Sequence, residues 1–65
     1  MQIEKEIKQH GKEQRLRSLQ MRYLDLEMDR LSLIANGDEE GAAATVKRQE
    51  AMQKAYEAVE EISTE

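Results

Sequence analysis

Apolar side chains recur at intervals of three and four positions between residues 16 and 35, which is the spacing of an amphipathic helix. They form two stripes, each with the heptad spacing of a helix-packing surface. The first, which we call the methionine seam, consists of Met21, Leu24, Met28, Leu31 and Ala35. The second, which we call the leucine seam, is interrupted by Arg30 and consists of Leu16, Leu19, Tyr23, Leu26 and Leu33.

The two seams lie on nearly opposite sides of the predicted helix. At about 100° per residue, their centres are separated by roughly 150–170°. A helix that packs against one neighbour needs only one apolar stripe. Two stripes therefore predict two neighbours.

A hinge separates this helix from a second one. Gly37 follows Asn36 and can adopt the left-handed conformation that closes many helices. Asp38 can then accept hydrogen bonds from the first amides of the next helix. We predict a first helix over about residues 2–35, which Gly11 is able to break at 10–12, a hinge at 36–38, and a second helix over about 39–63. So short a connection predicts an antiparallel hairpin.

The oxygen-bearing side chains around the hinge raise the alternative of a metal-binding loop. Asn36, Asp38, Glu39 and Glu40 carry the oxygen ligands that calcium prefers. The alternating acids, central glycine and terminal glutamate of a calcium-binding loop are absent. We therefore predict helix capping here and no metal.

The second helix offers only a narrow apolar stripe to the first, because alanines, which bury little area, supply much of it. We expect this stripe to contain Met52, Ala55, Tyr56, Val59 and Ile62, continued toward the hinge by Ala44 and Thr45. It is too narrow to cover both seams, and an uncovered apolar stripe on a small protein marks an interface. The pattern does not decide which seam is covered.

These patterns predict an all-α fold: an antiparallel two-helix hairpin that pairs into a homodimeric four-helix bundle or a coiled-coil-like assembly. The interface that we predict within and between hairpins is formed by Leu16, Leu19, Met21, Tyr23, Leu24, Leu26, Met28, Leu31, Leu33, Met52, Tyr56, Val59 and Ile62.

Charge is distributed unevenly along the chain, whose net charge is −4. Residues 1–22 hold six Lys or Arg and three Glu, whereas residues 23–65 hold four basic and eleven acidic residues. A band about 100° wide on the first helix, which we call the basic stripe, carries Lys5, Lys8, Lys12, Arg15 and Arg22. The stripe is a candidate contact for nucleic acid or an acidic partner.

A competing explanation for the basic stripe is pairing within the hairpin. Folding at Gly37 brings residues 12–15 near residues 59–62, so Glu57, Glu60 and Glu61 are expected beside the stripe. The stripe also lacks the aromatic side chains on which bases stack. Nucleic acid is therefore the less favoured partner.

Composition argues against catalysis and against a bound cofactor. The 65 residues include no Cys and a single His, so a nucleophile–base pair or a histidine metal cage cannot be assembled. Glu6 and His10 share a face, as do Asp25 and Asp29, but neither pair has a third group. We expect a non-enzymatic protein without metal or cofactor.

The chain also lacks an apolar run of the roughly 18–20 residues needed to span a bilayer, and its first residues lack a secretory pattern. We expect a small acidic cytoplasmic protein, of a composition typical of phage-encoded proteins. The function we predict is binding to itself and to another protein as an adaptor, assembly factor or inhibitor. The alternative is an RNA-binding regulator that uses the basic stripe of a hairpin dimer.

Overall fold

A computed structural model describes all 65 residues. The chain forms two helices and no strand: α1, Lys5–Ala35, and α2, Glu39–Glu60. The helices pack against each other along an elongated body with extents of 51 × 15 × 14 Å. The predicted all-α hairpin is therefore confirmed.

The turn between the helices is closed by local hydrogen bonds. The amide of Gly37 donates to the carbonyl of Ile34 at 3.0 Å, and the amide of Asp38 donates to that of Leu33 at 2.8 Å. This pair of bonds is a Schellman motif, which needs a left-handed residue after the helix. Gly37 supplies it with φ of 75°. The Asp38 carboxylate then caps α2 by accepting from the amide of Gly41 at 2.9 Å.

The helix boundaries differ from the sequence-based expectation at the two open ends. α1 begins at Lys5 and not at residue 2, and α2 ends at Glu60 and not at residue 63. The helix that Gly11 could have broken runs through residues 10–12 without interruption. Its neighbours are good helix formers, which compensate for a glycine cost of about 1 kcal/mol.

The leucine seam is the one that faces α2. Leu19 is its most buried member, with 5% of its surface exposed, and is the only large apolar side chain of the protein that is buried. Leu16, Leu26 and Leu33 are partly buried beside it, whereas Tyr23 is 41% exposed at the edge. The hairpin core is thus one leucine row on α1.

The opposing row on α2 differs from the expected stripe near the hinge and at the open end. Its inward-facing residues follow a continuous heptad spacing: Ala42, Thr45, Gln49, Met52, Tyr56 and Val59. The expected Ala55 is half-buried beside them. Ala44 is exposed because it is rotated by about 100° from Thr45, so both cannot face α1. Ile62 is 52% exposed because it lies beyond the end of α2. Ala42 and Gln49, absent from the expected stripe, are buried.

Candidate interaction surface

The methionine seam lies on the outside of α1, where no part of the hairpin covers it. Met21 is 59% exposed, Leu31 54%, and Leu24 and Met28 are each 51% exposed. Exposure of single apolar side chains is ordinary in a monomer. Four in a heptad row along one helix form a continuous surface that fits another helix.

The same outer row extends toward the start of the chain. Ile7, which is 60% exposed, continues the three–four spacing of the seam, and Ile3, which is 51% exposed, precedes the start of α1. Between Ile7 and Met21 the row carries His10, Gln14 and Arg17. Because these three residues are polar, the apolar pattern of the sequence does not show that the row continues beyond Met21. The three–four spacing of the positions is the signal that indicates it. The apolar part of the outer face of α1 is therefore the methionine seam, with Ile7 alone beyond a polar interval.

A shallow groove of about 330 Å³ borders the methionine seam on one side. Leu24 belongs to both the seam and the groove, so the two surfaces are continuous. The side-chain amide of Gln20 donates to the Tyr56 hydroxyl at 3.4 Å across the groove. The groove is lined by Leu19, Gln20, Tyr23, Leu24, Glu27, Met52, Gln53 and Tyr56.

A polar cluster interrupts the leucine seam between the groove and the hinge. Arg30 forms a salt bridge with Glu27 one turn earlier, and Gln49 donates from α2 to the second carboxylate oxygen at 3.2 Å. The hydrogen bond from Arg30, and then that from Gln49, lower the pKa of Glu27 below its ordinary value of 4.5. Gln49 is 5% exposed, yet no buried side-chain polar atom lacks a hydrogen-bond partner. Because its guanidinium is paired with Glu27, Arg30 can occupy the position of the leucine seam between Leu26 and Leu33, where the heptad spacing predicts an apolar side chain.

The basic stripe is engaged by α2 at one residue only. Lys12 donates from Nζ to the carbonyl of Glu60 at 2.6 Å and to that of Ile62 at 2.9 Å. The expected pairing of the stripe with Glu57, Glu60 and Glu61 is not formed, because Arg30–Glu27 is the protein's only salt bridge. The other stripe residues are exposed and make no side-chain hydrogen bond within the hairpin: Lys5, Lys8, Arg15 and Arg22.

The residues considered for chemistry are scattered over exposed surface. His10, Glu6, Asp25 and Asp29 are all exposed, and none makes a side-chain hydrogen bond. No group of three His, Asp or Glu side chains is placed to hold a metal ion. Neither helix carries an apolar stretch sufficient to cross a membrane.

The exposed area of the hairpin is large for its mass. The chain of 7.5 kDa exposes 5422 Å², about 1,200 Å² more than the roughly 4,200 Å² expected of a compact monomer of that mass. A standard protein interface buries about 800 Å² on each partner. The hairpin therefore has enough surplus surface for one such interface.

No protein-family model matches the chain, and no curated protein or solved structure matches it either. The exposed surface is therefore what indicates a function for the protein.

Proposed function

We propose that the protein is a non-enzymatic helical interaction module that pairs through the methionine seam into a homodimeric four-helix bundle and acts by binding another protein. The single observation that supports this most strongly is the exposure of Met21, Leu24, Met28 and Leu31 in one heptad row. When another helix packs on such a row, apolar surface is removed from water. This burial stabilises the complex by about 25 cal/mol per Å² of apolar area.

The burial within a single hairpin supports the same proposal. Only four residues are buried, and two of them, Thr45 and Gln49, are polar. A core of that size supplies little free energy of folding, and a chain of this length usually needs a disulfide, a metal or a partner chain. The protein has no cysteine. A second chain on the methionine seam is the stabilising element that the composition allows.

Sedimentation equilibrium over a wide concentration range, with Leu31→Asp as the test variant, addresses this function. We expect the wild type to be dimeric at micromolar concentration and Leu31→Asp to be monomeric, because the new carboxylate would be desolvated in the pairing surface. A wild type that stays monomeric would contradict self-association through the seam.

Ser32→Asp is the matched control. It places the same charge on the next residue of the same helical turn, outside the methionine seam, at an equally exposed position. Any general cost of aspartate near the end of α1 is shared by both variants. Equal loss of dimer in the two variants would count against a role of the seam.

RNA binding through the basic stripe is the second candidate function. The observation in its favour is that Lys5, Lys8, Arg15 and Arg22 have no partner within the hairpin. Free cationic side chains along one helix can contact successive phosphates. The protein's net charge of −4 opposes approach to a polyanion.

Titration of a fluorescent structured RNA at several salt concentrations tests the second candidate. RNA binding predicts an affinity that falls steeply with salt and is lost in the double variant Lys8→Glu plus Lys12→Glu. Lys47→Glu plus Arg48→Glu is the control, since it makes the same charge change on α2. Equal losses in both double variants would show a net-charge effect and no stripe-specific contact.

A further inference from the structure

We infer that a second copy of the chain occupies the methionine seam in antiparallel orientation, with Met28 facing Met28 of the other copy and Arg17 facing its acidic hinge end. This inference rests on the proposed self-association and adds its orientation and register. Three observations lead to it: the apolar methionine seam, the polar interval that follows it toward the start of α1, and the charges at the hinge.

Matching of apolar residues selects the register. When two antiparallel α1 helices are centred on Met28, residue 28−n of one lies beside residue 28+n of the other. Met21 then faces Ala35, and Leu24 faces Leu31 to within one residue, so every contact within the seam is apolar. Complete overlap of the two helices would instead place Arg17, Gln14 and His10 within two residues of Leu24, Met28 and Leu31. Polar groups pressed on apolar ones in that way lose water without gaining a hydrogen bond.

Charge selects the orientation. In the register centred on Met28, Arg17 lies about 6 Å beyond the level of Ala35 in the other copy, next to the hinge end that carries Asp38, Glu39 and Glu40. Arg17 is exposed and makes no hydrogen bond or salt bridge within its own hairpin. By two-fold symmetry the contact occurs twice. A parallel dimer would instead align the two acidic hinge ends and the two Arg17 side chains, where like charges repel.

The surplus surface agrees with a second copy as the occupant. The roughly 1,200 Å² by which the exposed area exceeds that of a compact monomer is more than the roughly 800 Å² that a standard protein interface buries per partner. One chain carries the methionine seam, Arg17 and the acidic hinge end. A two-fold contact between two copies therefore buries both seams and places each Arg17 near the acidic hinge end of the other copy.

Cross-linking of single-cysteine variants tests the register, since the wild type has no cysteine. Met28→Cys and Met21→Cys replace residues of the same type and similar exposure in the same seam. With a short bismaleimide reagent we expect dimer cross-linking of Met28→Cys and none of Met21→Cys, whose two thiols would be about 21 Å apart along the helix. Cross-linking of both variants would overturn the inference in favour of a parallel dimer. Cross-linking of Met21→Cys alone would overturn it in favour of complete overlap.

Charge reversal tests the contact between Arg17 and the hinge. We expect Arg17→Glu to raise the dimer dissociation constant about tenfold at low salt, since two symmetric attractions become repulsions. Adding Glu39→Arg and Glu40→Arg to that variant should restore the wild-type dissociation constant. Arg15→Glu, with the same charge change outside the outer row, is the control and should leave it within about twofold. Failure of the compensating variant to restore dimerisation would contradict the contact.

The outcomes separate this inference from the proposed function. A wild type that is monomeric at every concentration would refute the self-association and this inference together. A wild-type dimer that is broken by Leu31→Asp but cross-links in another pattern would support the seam and refute only the antiparallel register.

Discussion

Lys12 and Ile62 lie opposite each other at the open end of the hairpin, where the Lys12 ammonium donates to the Ile62 carbonyl at 2.9 Å. The two residues are equally far from Gly37 along the chain, so the register fixed at the hinge is kept over the whole of α2. The same ammonium donates to the carbonyl of Glu60, the last residue of α2. Lys12 therefore caps the end of α2 from the neighbouring helix.

Replacing Lys12 by Met removes this cap and keeps an unbranched side chain of similar length. We expect the free energy of unfolding to fall by about 0.5–1 kcal/mol, because a cation at a helix C-terminus contributes about that much when exposed. Amide exchange should accelerate most at residues 57–62. Lys8→Met, one turn earlier and without a partner, should leave both quantities unchanged.

The polar cluster around Glu27 predicts a pH dependence of stability. Its pKa is lowered in the folded protein, first by the hydrogen bond from Arg30 and then by that from Gln49. A lowered folded-state pKa contributes stability that is fully present above the ordinary value of 4.5 and is lost as the pH falls through the lowered value. Thermal unfolding from pH 6 down to pH 2.5 should therefore show a loss below about pH 4.5 that is smaller in Glu27→Gln.

Direct titration of the Glu27 carboxyl by NMR is the companion measurement. Gln49→Leu removes one of the two donors, so we expect the pKa of Glu27 to rise toward 4.5 in that variant while the Arg30 contact keeps it below. Gln53→Leu, one turn further along α2, serves as the control because Gln53 bonds to Glu57 and not to Glu27. A Glu27 pKa that is identical in wild type and Gln49→Leu would contradict the contact across the helices.

The hinge was predictable from the sequence because its determinants are local. A positive φ, a Schellman closure and a carboxylate cap depend on Asn36, Gly37, Asp38 and the backbone of the adjoining turns. The antiparallel arrangement then follows from the shortness of the connection. The conformation of the turn, its closing hydrogen bonds and the cap of α2 could therefore be predicted from the residue pattern and from the conformational preferences of the residues.

The side of α1 that faces α2 was not predictable, because the two seams are almost equally apolar. Arg30 interrupts the apolar pattern of the leucine seam, yet it is paired with Glu27, which also accepts a hydrogen bond from Gln49. Gln49 itself is buried at a position where the heptad spacing predicts an apolar side chain. Hydrogen bonds between distant residues have no signature in the periodicity of either helix.

Gly11 and Gly37 predict opposite responses to alanine. A methyl group at Gly11 would meet open space in the middle of an exposed helix. We expect Gly11→Ala to raise the free energy of unfolding by about 0.5–1 kcal/mol. Gly37→Ala should lower it by about 1–2 kcal/mol, because the φ of 75° is unfavourable for a residue with a Cβ atom. Urea denaturation of the two variants measures both effects, and a stabilised Gly37→Ala would show that the turn can close in another way.

Ala42 and Ala43 test how closely the helices approach near the hinge. Ala42 is 8% exposed and faces α1, whereas its neighbour Ala43 is exposed. We expect Ala42→Leu to lower the free energy of unfolding by about 1–3 kcal/mol, because the larger side chain must push the helices apart or adopt a strained rotamer. Ala43→Leu has the same change in volume and helix propensity and should stay within about 0.5 kcal/mol of wild type. Urea denaturation at a fixed protein concentration compares the pair, and equal stability of the two variants would contradict close packing at Ala42.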